Sequence, residues 1–196
     1  LNPVTHGIQV FVIARSYDKY LNAMRYRVKE ILSFDADDLP SLKRWLYDAA
    51  DGSAHGGLLT FSSQSTGWTI NNNYNGPSNT GYHSLLTHLA TSGAHAMTIV
   101  GYDDLVEFSD TDGKKHKGAF IVCNTWGTFS HDQGRFYLPY WFFTDHQHTD
   151  LVLSSKMQAV RVATYDPKVV FKVKLKYSSR NDLSFGTARR DNGNTS

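Results

Sequence analysis

The sequence predicts an α+β fold made mainly of antiparallel β-structure, and three observations carry that expectation. Short apolar or alternating runs recur along the 196 residues, among them GIQVFVIA at 7–14, GLLTFSS at 57–63, GAFIVC at 118–123 and RFYLP at 135–139. Such runs, too short for helices and rich in β-branched and aromatic residues, fit a pleated surface. Only residues 40–50 carry apolar residues at a clear helical spacing. Strong turn chemistry separates the runs, notably Asn75-Gly76-Pro77 and Asp112-Gly113.

Taken in order, residues 7–14 form a β-type run, and residues 15–27 are a short helix or an irregular connection. Residues 26–34 alternate as a strand. Asp35, Asp37 and Asp38 precede Leu39-Pro40, which marks a helix start: acids suit the positive end of the helix dipole and proline suits its first turn. Leu42, Trp45 and Leu46 then recur at helical spacing, so residues 40–50 form an amphipathic helix that buries this face and stops at Asp51-Gly52. Residues 57–63 make a strand. Residues 64–82 are polar and read as a surface or binding loop, with Asn71-Asn72-Asn73 as turn chemistry. Residues 85–90 are a small apolar patch of unassigned type. Strands over 96–101 and 119–123 flank a hairpin end. A further strand spans 134–138, and 151–163 offers two more β-type runs. From Asp166-Pro167 a new alternation begins, with Val169, Phe171, Val173, Leu175 and Tyr177 on one side and Lys172, Lys174 and Lys176 on the other. The expected organisation is therefore residues 1–165 as one β-rich domain and 166–196 as the beginning of an accessory β-sandwich-like module.

Composition narrows the function classes. With 40% hydrophobic and 13% aromatic residues the chain can fill a core and is not a disordered polymer. A net charge of +2, without a basic block, gives no footprint for nucleic acid. No apolar run approaches the roughly 20 residues of a membrane helix. The chain opens LNPVTHG with no signal peptide, and its two ends suggest a piece of a longer polypeptide. One cysteine, Cys123, excludes an internal disulfide framework.

The chemistry concentrates in residues 93–126. GAHAMTIVGYDD places His95 at the start of one apolar run, and GAFIVCNTWG places Asn124 at the end of the next. If the two runs pair, imidazole and carboxamide meet at one end of a sheet. An imidazole oriented by an amide is suited to act as a general acid or base beside a nucleophile.

These motifs resemble the His and Asn motifs of the papain family of cysteine peptidases. His95, Ala96, Val100, Gly101 and Tyr102 match the family's H-A-x-x-x-V-G-Y strand. Asn124, Trp126 and Gly127 match its N-S-W-G, with Thr125 in place of serine, and Gly134 and Phe136 match the glycine and aromatic strand beyond. The acid-flanked helix before the strand at 57–63 also sits where the family places one. The resemblance, over residues 28–142, implies the C-terminal β-barrel half of a papain-like fold. It implies His95 as acid/base, Asn124 as its orienter, Trp126 as a cover that keeps water from their bond, and Gly93 and Ala94 as part of the substrate cleft. No cofactor is implied.

The sequence departs from the family in three ways. No Q-x-x-x-x-x-C-W segment precedes His95, so the nucleophile and the oxyanion glutamine are not among these residues. Cys123 directly precedes Asn124 on one strand and would face the other way, as a buried core thiol. Phe129 stands where a second Trp is usual. The expected partner is thus a second polypeptide carrying the catalytic Cys and the oxyanion Gln, in a two-chain peptidase acting on peptides or proteins. A non-catalytic papain-like relative and a β-rich binding module are the alternatives. By analogy with multi-module enzymes, a secreted or cell-surface location is expected.

The remaining candidates take structural readings. His83 and His88 are read as surface or pocket-lining, and His146 with His148 as a metal half-site without a third ligand, so no metal is assigned. Trp45 and Trp68 are read as a core residue and a loop anchor, and Trp141, Phe142 and Phe143 as closing a barrel end.

Overall fold

The computed structural model describes residues 19, 22–89, 91–144, 155–166, 178–182, 184, 190–191 and 194–195. The chain divides into two compact units, residues 29–161 and residues 1–28 with 162–196. Of the second unit, the described parts include an antiparallel pair, β9 (Arg190–Asp191) with β10 (Asn194–Thr195), and a 3-10 turn at Arg180–Asp182. Tyr165 N–H there donates to Arg25 O, and the Arg27 guanidinium lies 5.9 Å from the Tyr165 ring centre. The expected runs at 7–14 and 169–177 lie outside the described residues, as do His146 and His148.

The main body is one eight-stranded sheet. Its strands are β1 (Tyr26–Asp35), β2 (Leu59–Thr66), β3 (Thr69–Asn71), β4 (Leu85–His88), β5 (Ser92–Ser109), β6 (Lys115–Cys123), β7 (Arg135–Pro139) and β8 (Lys156–Thr164). Across the sheet they run β1-β8-β2-β5-β6-β7-β4-β3. The described pairings are antiparallel except that of β4 with β7. The fold class is as expected: mainly antiparallel β with one substantial helix. The sheet is not closed, and β1 and β3 stand at its edges.

Helix α1 (Leu39–Asp48) forms where the acids and proline predict it. Asp38 caps it by accepting a bond from Ser41 N–H at 3.2 Å, and proline occupies the first turn. The helix stops slightly before the expected Asp51-Gly52: Ala49 and Ala50 turn left-handed, and Ala49 N–H closes on Trp45 O. Leu42, Trp45 and Leu46 are its buried face. Trp45 is fixed on both sides of its ring system. Its indole N–H donates to Leu58 O at 2.9 Å, and the Arg161 guanidinium lies 4.9 Å from the ring centre. Arg161 also donates to Ala49 O and pairs with Asp51, neutralising the negative end of the helix. A shorter helix, α2 (Trp141–Thr144), follows β7 and buries Phe142 and Phe143.

The core lies between α1, α2 and the inner face of the sheet, with Leu59, Phe61, Met97, Ile99, Phe120 and Val122 from its central strands. Strand β5 runs far beyond the expected 96–101. Asp103 and Asp104 interrupt its apolar pattern, yet Asp103 is buried inside the sheet. Its carboxylate accepts from Asn79 N–H, Asn79 Nδ2 and Leu105 N–H, so the loop before β4 supplies what a buried charge requires. Asp104 receives Lys43 of α1 at 2.7 Å and the Tyr140 hydroxyl at 2.9 Å.

Removing the Trp45 ring leaves a cavity and unpartners Leu58 O, so Trp45→Ala is expected to destabilise by about 3–5 kcal/mol. Lys43→Ala breaks a solvent-accessible pair with Asp104 and two cation–π contacts, to Tyr102 and Tyr140, and is expected to cost about 1–2 kcal/mol. Urea denaturation followed by far-UV circular dichroism of both variants measures the difference.

Candidate active site

The site is set by strand register. Thr98 of β5 pairs with Cys123 of β6, and Ile99 with Val122. Paired residues share a face and faces alternate along a strand. Continuing the pairing sets Met97 opposite Asn124 and His95 opposite Trp126. His95 and Asn124 therefore project from the same face as buried Met97, Ile99, Val122 and Phe120, at the end where that face opens.

The two side chains meet there. His95 Nε2 lies 2.7 Å from Asn124 Oδ1. The same oxygen takes the Thr125 backbone N–H at 2.7 Å. Two donors converging on one atom identify it as the carbonyl oxygen of the amide, and they make His95 Nε2 the protonated nitrogen of the neutral ring. The lone pair is then on Nδ1, and no bond to Nδ1 occurs among the described residues. Asn124 is itself anchored by its backbone N–H to Gly134 O at 2.8 Å and is 6% exposed.

Aromatic rings enclose the imidazole. Trp126 stacks on it with centroids 5.0 Å apart and planes at 28°, and Trp68 meets it edge-on at 6.5 Å. Trp126 remains 47% exposed, so it forms a lid on the outer side of the His95–Asn124 bond. A hydrogen bond screened from water in this way is electrostatically stronger than an exposed one. Trp68 in turn packs edge-on against Phe136 at 5.6 Å, below the pair.

The residues read from the sequence are thus brought together: His95 is bonded to Asn124 and stacked on Trp126. Gly93 and Ala94 are exposed just ahead of His95. Gly93 has φ +75°, and a Cβ there would lie 2.4 Å from Thr66 Oγ1, so only glycine fits. Cys123 falls on the opposite face from Asn124, across from Thr98 and Arg135, and is partly rather than fully buried. Among the described residues no cluster of three His, Cys, Asp or Glu could hold a metal, and no helix is long and apolar enough to cross a membrane. His83 is exposed, with its ring Nδ1 2.9 Å from Tyr74 O. His88 lines a cavity of about 540 Å³ together with Asp110, His116 and Trp141.

Sequence reasoning did not find the support beneath the pair. Trp68 is a ring wall of the site as well as a loop anchor, because it lies between β2 and β3, two strands that take up part of what was expected to be a single long loop. The turn at 127–134 is a second such element. Asp132 accepts from His83 N–H and Ser84 N–H, tying the turn to the start of β4. His131 lies edge-on to Phe136 at 5.5 Å. Only the Asn-x-x-Gly spacing hinted at this turn. Burial lowers the His131 pKa below its ordinary 6.5, with Asp132 opposing the shift.

No protein-family model matches the chain, and no curated protein does. Solved structures resemble it in fold. A clostridial cysteine protease, Cwp84 after propeptide cleavage, aligns at 19% identity and TM-score 0.47, over 72% of this chain and 30% of that one. SERA5E from Plasmodium falciparum aligns at 16% identity and TM-score 0.45, over 73% and 53%. Xylellain, a cysteine protease from Xylella fastidiosa, aligns at 21% identity and TM-score 0.39, over 76% and 45%. The chain spans less than two thirds of each. The likeness is one of chain course; what the site can do rests on its own atoms.

The half-buried His131 gives a pH signature. Its folded pKa lies below 6.5, so the unfolded chain binds the proton more readily. The stability it contributes is complete above pH 6.5 and is lost as pH falls towards the folded pKa. Denaturation across this range is expected to show a steeper acid loss in the parent chain than in His131→Gln, and parallel profiles would refute the assignment.

Proposed function

We propose that this chain forms the acid–base wall of a cysteine-peptidase site, with His95 as general acid and base and Asn124 as its orienter. The observation that carries this reading is the 2.7 Å bond from His95 Nε2–H to Asn124 Oδ1. It leaves the Nδ1 lone pair to face a nucleophile. The thiol and the oxyanion glutamine come from polypeptide beyond these 196 residues, because the sole cysteine, Cys123, lies on the other face of β6.

The steps follow from the ring's orientation. Nδ1 takes the proton of the incoming thiol, and the imidazolium beside it lowers the thiol pKa and holds the thiolate. The sulfur attacks the peptide carbonyl carbon, forming a C–S bond. Nδ1–H then gives its proton to the amine nitrogen as the C–N bond breaks. In the second half Nδ1 takes a proton from water, whose oxygen attacks the thioester and displaces the sulfur. Asn124 exchanges no proton. It keeps the ring in plane with both partners, while Trp126 excludes water from the bond. Gly93 and Ala94 give the cleft a small, uncharged wall that accepts a peptide backbone. The substrate is a peptide or protein, and the whole assembly acts as a two-chain enzyme, secreted or at the cell surface.

The test is to isolate the assembly with its co-purifying polypeptides and treat it with a thiol-directed peptidase inhibitor. The adduct is expected on a cysteine outside this chain, and peptide hydrolysis is expected to fall about 10²–10⁴-fold in His95→Ala. Asn124→Ala removes a charge-assisted hydrogen bond of about 1.5–3 kcal/mol and is expected to cost roughly ten- to a hundredfold. Labelling of Cys123, or hydrolysis indifferent to His95→Ala, would defeat the proposal.

A further inference from the structure

Three buried side-chain polar atoms have no hydrogen-bond partner among the described residues: Trp68 Nε1, Asn124 Nδ2 and His131 Nε2. They come from three distant parts of the sequence, yet all three side chains surround Phe136. Trp68 and His131 each meet its ring edge-on, at 5.6 and 5.5 Å. Asn124 lies diagonally across from it on the same face, since Val122 pairs with Phe136 and Asn124 N–H bonds Gly134 O.

Their hydrogen-bonding roles are complementary. The indole N–H of Trp68 only donates. Asn124 Oδ1 already takes two donors, so Nδ2 is the NH₂ group and donates. His131 Nδ1 lies 3.4 Å from Asn72 Oδ1, an acceptor. The proton is therefore on Nδ1, and Nε2 carries the lone pair. Two donors and one acceptor are the set that one water satisfies, accepting from Trp68 and Asn124 and donating to His131.

We propose that Trp68, Asn124 and His131 hold one buried water around Phe136, beneath the His95–Asn124 pair, and that His131 is thereby a positioning residue for the Asn124 carboxamide. Oδ1 of Asn124 is fixed from the His95 side and Nδ2 from the water side, so the amide has one orientation. The arrangement requires a neutral His131, and burial favours that form. The charged and titratable groups around it are Asp132, whose carboxylate is bonded to His83 N–H and Ser84 N–H, Arg135, whose backbone exchanges hydrogen bonds with that of Asp132, the His83 ring on Tyr74 O, and His95 beyond Trp68. A proton on His131 Nε2 would turn three donors on one another and release the water. The role in orienting a catalytic amide rests on the function proposed above, but the water site does not.

The test is nuclear magnetic resonance of the full ¹⁵N-labelled chain, with His131→Gln and His131→Phe. Long-range ¹⁵N–¹H correlation is expected to show His131 protonated at Nδ1 only. Trp68 Hε1 and the Asn124 side-chain amide are both expected to show cross-relaxation to a long-lived water. Gln retains an acceptor and is expected to keep these peaks and the His95 Nε2 shift, whereas Phe is expected to lose the peaks and move that shift. Should His131→Phe fail to fold, the tautomer and water peaks of the parent chain decide. A proton on His131 Nε2, water peaks missing at Trp68 or Asn124, or water peaks that persist in His131→Phe would overturn the proposal. Peptidase activity does not enter these readouts, so failure here leaves the proposed reaction untouched, and an inactive enzyme leaves the water untouched.

Discussion

The pairing of β5 with β6 is the constraint on which the site depends. His95 and Asn124 are 29 residues apart in sequence, and nothing local brings them together. Thr98 opposite Cys123 places them diagonally on one face. A slip of one residue would send one side chain to each face and dissolve the contact. The register is held by burial, since Phe120 and Val122 would both leave the core if β6 slipped by one residue against β5. It is pinned again at the hairpin end, where Asp110 accepts from Asp112 N–H, Lys114 N–H and His116 Nε2.

Organisation of the polar pair comes from packing. The imidazole is touched by Trp126 above, Trp68 at its edge and Asn124 at Nε2. Each contact removes a rotational option from the ring, which is the condition for a positioned acid or base to act without reorganising. The same enclosure is costly for polar atoms. A buried unsatisfied donor or acceptor costs about 1–3 kcal/mol, so three of them around one ring call for a common partner.

The helix and the pair were legible because their signals are local or nearly so. Asp38 and Pro40 define a helix start irrespective of context, and His95 and Asn124 carry their surroundings with them as short motifs. What sequence did not yield depends on distant partners. Strand β5 extends past Asp103 only because Asn79 supplies donors to that carboxylate. Strand β3 is three residues long and pairs with β4, so no period could mark it within a polar stretch. Trp68 and His131 have no motif of their own. Their place follows from Phe136, whose ring both of them meet.

The turn at 127–134 shows how that support is built. His131 and Gln133 hold φ near +50°, a conformation that side chains other than glycine adopt at a cost, and Gly134 closes the turn at φ +84°, where a Cβ would lie 3.0 Å from Gly127 O. Such a backbone persists only where the surroundings over-determine it. Here they do: Asp132 is bonded to two N–H groups at the start of β4, Gly134 N–H donates to Ser130 O, and Gly134 O receives Asn124 N–H. The strained residue His131 is the one that presents a ring to Phe136, and Gly134, which closes the same turn, is the one that anchors Asn124. Relaxing the turn to ordinary φ values would move both at once. The strain in this turn therefore sits where the position of the carboxamide is decided, and the fold sustains it through bonds to the chain ahead of β4 as well as to Asn124.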